Sequence, residues 1–150
     1  MRELEQLAAA LTARGARDEA LGTWTERRVF GVARPPVIVP AGRAWRLGSL
    51  LLDAEGALYA LGRVTRAVEP RDFNSDKTVA GEERREEQRA AVRGGYRTGE
   101  TVNFDYGPLD PSLPTPPLVS EEGGLVVLDG RVHMPLLRYL EDRAELLPGA

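Results

Sequence analysis

His133 is the only histidine in the chain. Imidazole is the side chain whose ordinary ionisation falls near neutral pH, so it is the first candidate for proton transfer. A catalytic histidine needs an acidic group to orient it and a partner to activate. Asp105 and Tyr106, in "NFDYG", are the candidates for those roles. No spacing rule joins them to His133, and a strand histidine with a structural role is the simpler reading. Metal chemistry has less material. The chain has no cysteine, which removes thiolate ligands, disulfides and cysteine nucleophiles together. A carboxylate site would need an Asp-rich calcium loop, and none is present. The sequence therefore implies no metal and no cofactor.

Anion recognition is better supplied. Arg66, Arg71 and Lys77 fall within the twelve residues "RAVEPRDFNSDK". Asn74, Ser75, Asp76 and Thr78 offer capping oxygens to a following helix, and a helix start presents free N–H groups to an anion. Arg66, Arg71, Asn74 and Lys77 are thus the ligand-binding candidates. Glu69, Asp72 and Asp76 compete for the same cations. Neither the GxxxxGK[ST] nor the GxGxxG phosphate loop occurs. Arg93, Tyr96, Arg97, Phe104 and Tyr106 interleave cations with rings, as single-stranded nucleic-acid binders do. The carboxylates among them oppose that reading.

These residues need elements to hold them. Leu4, Leu7, Ala8 and Leu11 recur at helical spacing and predict a helix over 3–13, stopped near Gly15. Ala20, Leu21 and Trp24 share a helical face, which predicts a second helix over 17–28 and an N-terminal helical hairpin. Val37–Val39, boxed by prolines, predicts a short edge strand. The runs flanking "DAEG" predict a hairpin over 45–66, with Leu52 opposite Leu58, Leu51 opposite Tyr59 and Leu50 opposite Ala60. Apolar residues on both faces mark it as central. "VAGEERREEQRAAVR" favours helix by propensity but has few apolar anchors, mainly Ala80, Ala91 and Val92. Pairs such as Glu82 with Arg85 and Glu86 with Arg89 would decorate a solvated face. Thr101–Phe104 predicts a lone strand. Five prolines between 108 and 117 predict an extended strap. Asp129-Gly130 predicts a hairpin over 125–134, with Val127 facing Val132. Leu136, Leu137, Leu140, Ala144 and Leu147 form the stripe of a C-terminal helix that Pro135 would open.

The expectation is one α+β domain over 1–150: an antiparallel sheet of about four to six strands built on hairpins 45–66 and 125–134, with helices at both chain ends. Residues 71–96 form a polar excursion. The formal net charge of -3 is ordinary. Residues 1–75 carry 11 basic against 9 acidic side chains, and 76–150 carry 9 against 14. That balance disfavours a dedicated nucleic-acid binder, which needs a basic footprint. No apolar run reaches membrane-span length and the N-terminus lacks a signal-peptide build, so a cytoplasmic location is the default. The functional expectation is a small accessory or interaction domain, with a protein partner or self-association. One alternative is a small anion-binding domain or enzyme, with its pocket between the sheet and residues 71–106. The other is a nucleic-acid contact domain.

Overall fold

A computed structural model describes residues 1–71 and 77–149. In chain order the elements are α1 (Arg2–Ala13), β1 (Glu19–Val29), β2 (Val32–Leu47), β3 (Leu50–Asp53), β4 (Leu58–Ala60), β5 (Arg63–Arg66), α2 (Val79–Arg93), β6 (Thr101–Phe104), β7 (Gly107–Leu109), β8 (Leu118–Glu121), β9 (Gly124–Asp129), β10 (Val132–Pro135) and α3 (Leu136–Glu145). The class is α+β. The sheet is larger than expected and mixed: seven strands in the order β5-β6-β1-β2-β3-β4-β7, with β1 parallel to β6. A separate three-stranded antiparallel sheet runs β10-β9-β8. The 125–134 hairpin therefore belongs to a second sheet, not to the one built on 45–60.

The expected N-terminal helical hairpin does not form. Residues 19–29 are strand β1, and only α1 is helical there. The 3,4 spacing of Ala20, Leu21 and Trp24 is real. It competes with Thr23, Trp24, Thr25 and Val29, whose branched or aromatic side chains fit a strand. The turn after them decides the outcome. Phe30 and Gly31 both have left-handed φ, 51° and 76°, the pattern of a two-residue type I′ hairpin turn.

β2 corrects the short edge strand. It runs sixteen residues and lies inside the sheet order. Its prolines are tolerated for a local reason. β3 pairs only with Ala44–Leu47, so Pro35, Pro36 and Pro40 lie beyond the reach of that ladder. The carbonyls of Pro35 and Pro36 accept from Arg27 and Arg93 side chains instead.

The chain divides into two compact units, and each has its own core. The first comprises Met1–Asp18, Arg43–Leu61 and Tyr106–Ala150. Leu4, Ala8 and Leu11 of α1 and Leu136, Tyr139, Leu140 and Ala144 of α3 are buried there with Leu50, Leu52 and Leu58. β3 and β4 pair in the expected antiparallel register, Leu50 with Ala60, Leu51 with Tyr59 and Leu52 with Leu58. The arm before them turns back at Gly48-Ser49 so that Leu47 pairs with Leu50. The predicted hairpin is thus the middle of a β2–β3–β4 meander, and 63–66 is a different strand. β9 and β10 pair Asp129 with Val132 and Val127 with Met134, two residues from the expected register. A two-residue slip leaves each side chain on its face, so Leu125, Val127, Val132 and Met134 still pack on the core.

The second unit comprises Glu19–Gly42 and Gly62–Asp105. Its core joins Ala20, Ile38, Ala67, Ala90, Ala91, Val102 and Phe104. β6 is no lone strand: it lies between β1 and β5, and Val102, Asn103 and Phe104 are buried. α2 packs on β5. Thr78 caps it, its hydroxyl accepting from Gly81 N–H at 3.0 Å, and its buried residues are Gly81, Glu87, Ala90 and Ala91 rather than Ala80 and Val92. Among the described residues no helix is long and apolar enough to cross a membrane.

Candidate functional site

α2 and the sheet of the second unit enclose a cleft of about 290 Å³. β1 supplies Trp24, β5 supplies Arg63, β6 and its end supply Phe104 and Asp105, and α2 supplies Glu83, Glu86 and Glu87. The local reasons are simple. Positions 83, 86 and 87 are i, i+3 and i+4 of one helix and share a face. Trp24 and Phe104 stack at 5.8 Å between centroids and 24° between planes. Parallel pairing of β1 with β6 places the two strands side by side. Asp105 follows β6 directly with a left-handed φ of 55°, which ends the strand and turns the chain.

Four carboxylates and one guanidinium line this cleft with the two stacked rings, and two of the carboxylates approach the guanidinium. Arg63 Nη2 lies 2.7 Å from Glu87 Oε2 and 4.0 Å from Glu83 Oε2. Its Cζ is 5.9 Å from the Phe104 centroid. Glu87 is only 9% exposed. Its Oε2 has an ion-pair contact, but no N–H or O–H among the described residues is aligned to donate to it. Burial pushes the Glu87 carboxyl above the ordinary glutamate range; Arg63 opposes that rise, and the Glu83 and Asp105 carboxylates add to it. A buried acid with further carboxylates beside it marks a place where another positive charge would be favourable.

The residues singled out in the sequence lie in several places. Asp105 lines the cleft. Tyr106 belongs to the first unit, edge-on to Tyr59 at 5.3 Å. His133 also belongs to the first unit, on β10, where its exposed Nε2 sits 2.7 Å from Glu121 Oε2. His133 and Asp105 thus fall in different units. Arg66 donates Nε–H and Nη2–H to the Gly99 carbonyl. Arg71 and Lys77 are exposed, and Asn74 lies outside the described residues. Among those residues no three His, Asp or Glu side chains are grouped to hold a metal ion.

Most of the cleft is not legible in local pattern. By spacing alone Trp24 falls on a helix, and Glu83, Glu86 and Glu87 fall on a solvated helix face. One signal was legible. Glu83 and Glu87 are like charges at i,i+4, which repel on an isolated helix and call for a neighbouring cation. The cation, Arg63, comes from β5, 20 residues before Glu83 and 24 before Glu87, and no local pattern names it. Comparison with models of known protein families, with curated proteins and with solved structures finds no match to this chain.

Proposed function

We propose that the protein is a binding domain with no reaction of its own, and that the cleft between α2 and strands β1, β5 and β6 receives a cationic group of the guanidinium or ammonium class. The observation that carries this reading is Arg63. The chain's own guanidinium already sits there, against Glu87 and above the Phe104 ring, so the cleft's chemistry suits that group. Trp24, Glu83, Glu86 and Asp105 offer the same combination of ring face and carboxylates beside it.

The magnitudes predict weak binding for a lone cation. A cation–π contact contributes about 0.5–2 kcal/mol, and an exposed ion pair about 0–1 kcal/mol. Their sum, about 0.5–3 kcal/mol, lies below the roughly 4 kcal/mol of a 1 mM complex. A titration with arginine methyl ester, followed by tryptophan fluorescence, tests this. Half-saturation at several millimolar or above is expected, weakened at least several-fold in Glu83→Gln/Glu86→Gln. No saturable change, or equal binding by both proteins, would overturn the reading.

Anion binding at Arg66, Arg71, Asn74 and Lys77 is the second reading, with less to support it. Arg66 directs two of its donors to Gly99 O. Phosphate titration of wild type against Arg71→Ala tests it: loss of binding in the variant supports the site, and equal or absent binding removes it.

A further inference from the structure

The β1–β2 hairpin extends beyond the core it helps to build. Every residue from Glu26 to Pro35 is exposed. Phe30, at the turn, is fully exposed, flanked by Val29 at 43% and Val32 at 58% exposure. Three arginines, Arg27, Arg28 and Arg34, stand in this arm against the single carboxylate of Glu26. The arm is internally braced. Arg27 donates Nε–H and Nη2–H to Pro35 O at 3.0 and 2.8 Å, and Arg28 donates Nη1–H to Gly31 O at 2.9 Å.

The tip residue is unsuited to its turn. A type I′ turn needs positive φ at both central positions, and Asn, Asp or Gly satisfies that with least strain. A phenylalanine with φ of 51° is an outlier. It gains nothing in return from burial within its own chain, since its whole side chain faces solvent. Backbone strain kept at an exposed position points to a role for that side chain outside the fold.

We propose that the arm docks into the acidic cleft of a second copy of this chain, so that two copies exchange arms in a twofold dimer. This inference rests on the cleft's preference for a cationic group. Charge complementarity selects the occupant. The arm is positive and apolar at its tip, while Glu83, Glu86 and Asp105 line the cleft together with Trp24. The arrangement is also reciprocal by construction. Trp24 and Phe30 lie six residues apart along one hairpin, about 20 Å at a strand's rise of ~3.3 Å per residue. Each arm therefore starts beside the cleft that receives its partner's arm, as a self-complementary twofold interface requires. A cation delivered on a braced arm with an aromatic tip avoids much of the entropy cost of a free ligand, so the copy outcompetes a dissolved amine.

Sedimentation velocity on the full chain over a concentration series is the test. A monomer–dimer equilibrium is expected, weakened at least tenfold between 50 mM and 500 mM salt, because screening acts on exposed charges. Phe30→Gly should also weaken it at least tenfold while leaving the thermal midpoint, read at a dilution where wild type is monomeric, unchanged or higher, since glycine suits the turn. Glu83→Arg/Glu86→Arg and Arg28→Glu/Arg34→Glu should each be monomeric alone and associate when mixed. A monomer at every concentration, or a dimer indifferent to Phe30→Gly, would overturn the proposal. So would a mixture of the two charge variants that stays monomeric while each remains folded by circular dichroism. If arginine methyl ester saturates the cleft and the chain is nonetheless monomeric, the docking inference fails and the cleft reading stands. If the chain dimerises through the arm but the cleft variants dimerise equally well, the arm has a different receptor and the inference fails.

Discussion

Glu87 is the residue on which the cleft's charge balance turns. Its carboxyl is buried, and its folded pKa is raised mainly by desolvation. An acid with a raised folded pKa stabilises the fold while protonated. That contribution is complete below the unfolded value, about 4.3 for glutamate, and is lost as pH rises through the raised folded value. Wild type should therefore lose stability relative to Glu87→Gln as pH climbs from about 4 through that value. Urea denaturation of both proteins across this range checks it; a constant difference at all pH values would contradict it. Arg63 tests the other side of the pair. Arg63 is half-exposed and Glu87 buried, so removing the guanidinium leaves the buried carboxylate without compensation. Arg63→Met should thus destabilise the fold, and Arg63→Met/Glu87→Gln should recover part of the loss. Equal stability of the single and double variants would show that Arg63 does not act through Glu87.

At the scale of the element, α2 is held by little. Its buried side is two alanines, a glycine and Glu87, so opening it exposes little apolar area. α3 buries Leu136, Tyr139 and Leu140. Tyr139 further ties α3 down by accepting from Ser49 N–H at 3.0 Å. Hydrogen exchange should show α2 opening before α3; similar protection would mean that α2 gains stability from a partner. Thr78→Ala removes the cap on Gly81 N–H and should cost about 1 kcal/mol, with faster exchange in the first turn of α2. The end of the helix offers a paired test. Gly95 has φ of 83° and nothing within 4 Å of an added Cβ, so Gly95→Ala should cost about 1 kcal/mol for conformation alone. Gly94 has an ordinary φ of -72°, but a Cβ there would overlap the Ile38 carbonyl. Gly94→Ala should therefore cost more than Gly95→Ala, in the range of about 1–3 kcal/mol found for overpacking. The reverse order in urea denaturation would count against this packing of α2's end on β2.

For the molecule as a whole, the two cores are unequal. The first is built largely from leucines drawn from α1, α3 and both sheets. Four of the seven fully buried members of the second are alanines. Leu140→Ala in the first should cost about 2–5 kcal/mol, and Phe104→Ala in the second about 3–5 kcal/mol. Because the second core has few large side chains, backbone amides of β5 and β6 should exchange by openings smaller than global unfolding, while those of β3 and α3 follow the global transition. Equal exchange free energies in both sets would show that the units open together.

The sequence by itself determined whatever depends on neighbouring residues. The stripe of α1 and its stop at Gly15, the register of Leu50–Leu52 against Leu58–Ala60, the extent of α2, and the stripe of α3 all follow from local periodicity and turn chemistry, whereas the choice of Thr78 among four candidate caps does not. β1 was locally ambiguous, because its apolar residues satisfy two periods, and the turn at Phe30-Gly31 with pairing to β2 and β6 settled it. Tertiary structure alone decided the parallel pairing of β1 with β6, the separation of the β8–β9–β10 sheet, and the meeting of Trp24, Arg63, Phe104 and the α2 carboxylates. Those partners lie far apart in the chain. Their approach depends on which surfaces can be buried together, and that free energy belongs to the folded chain rather than to any one segment.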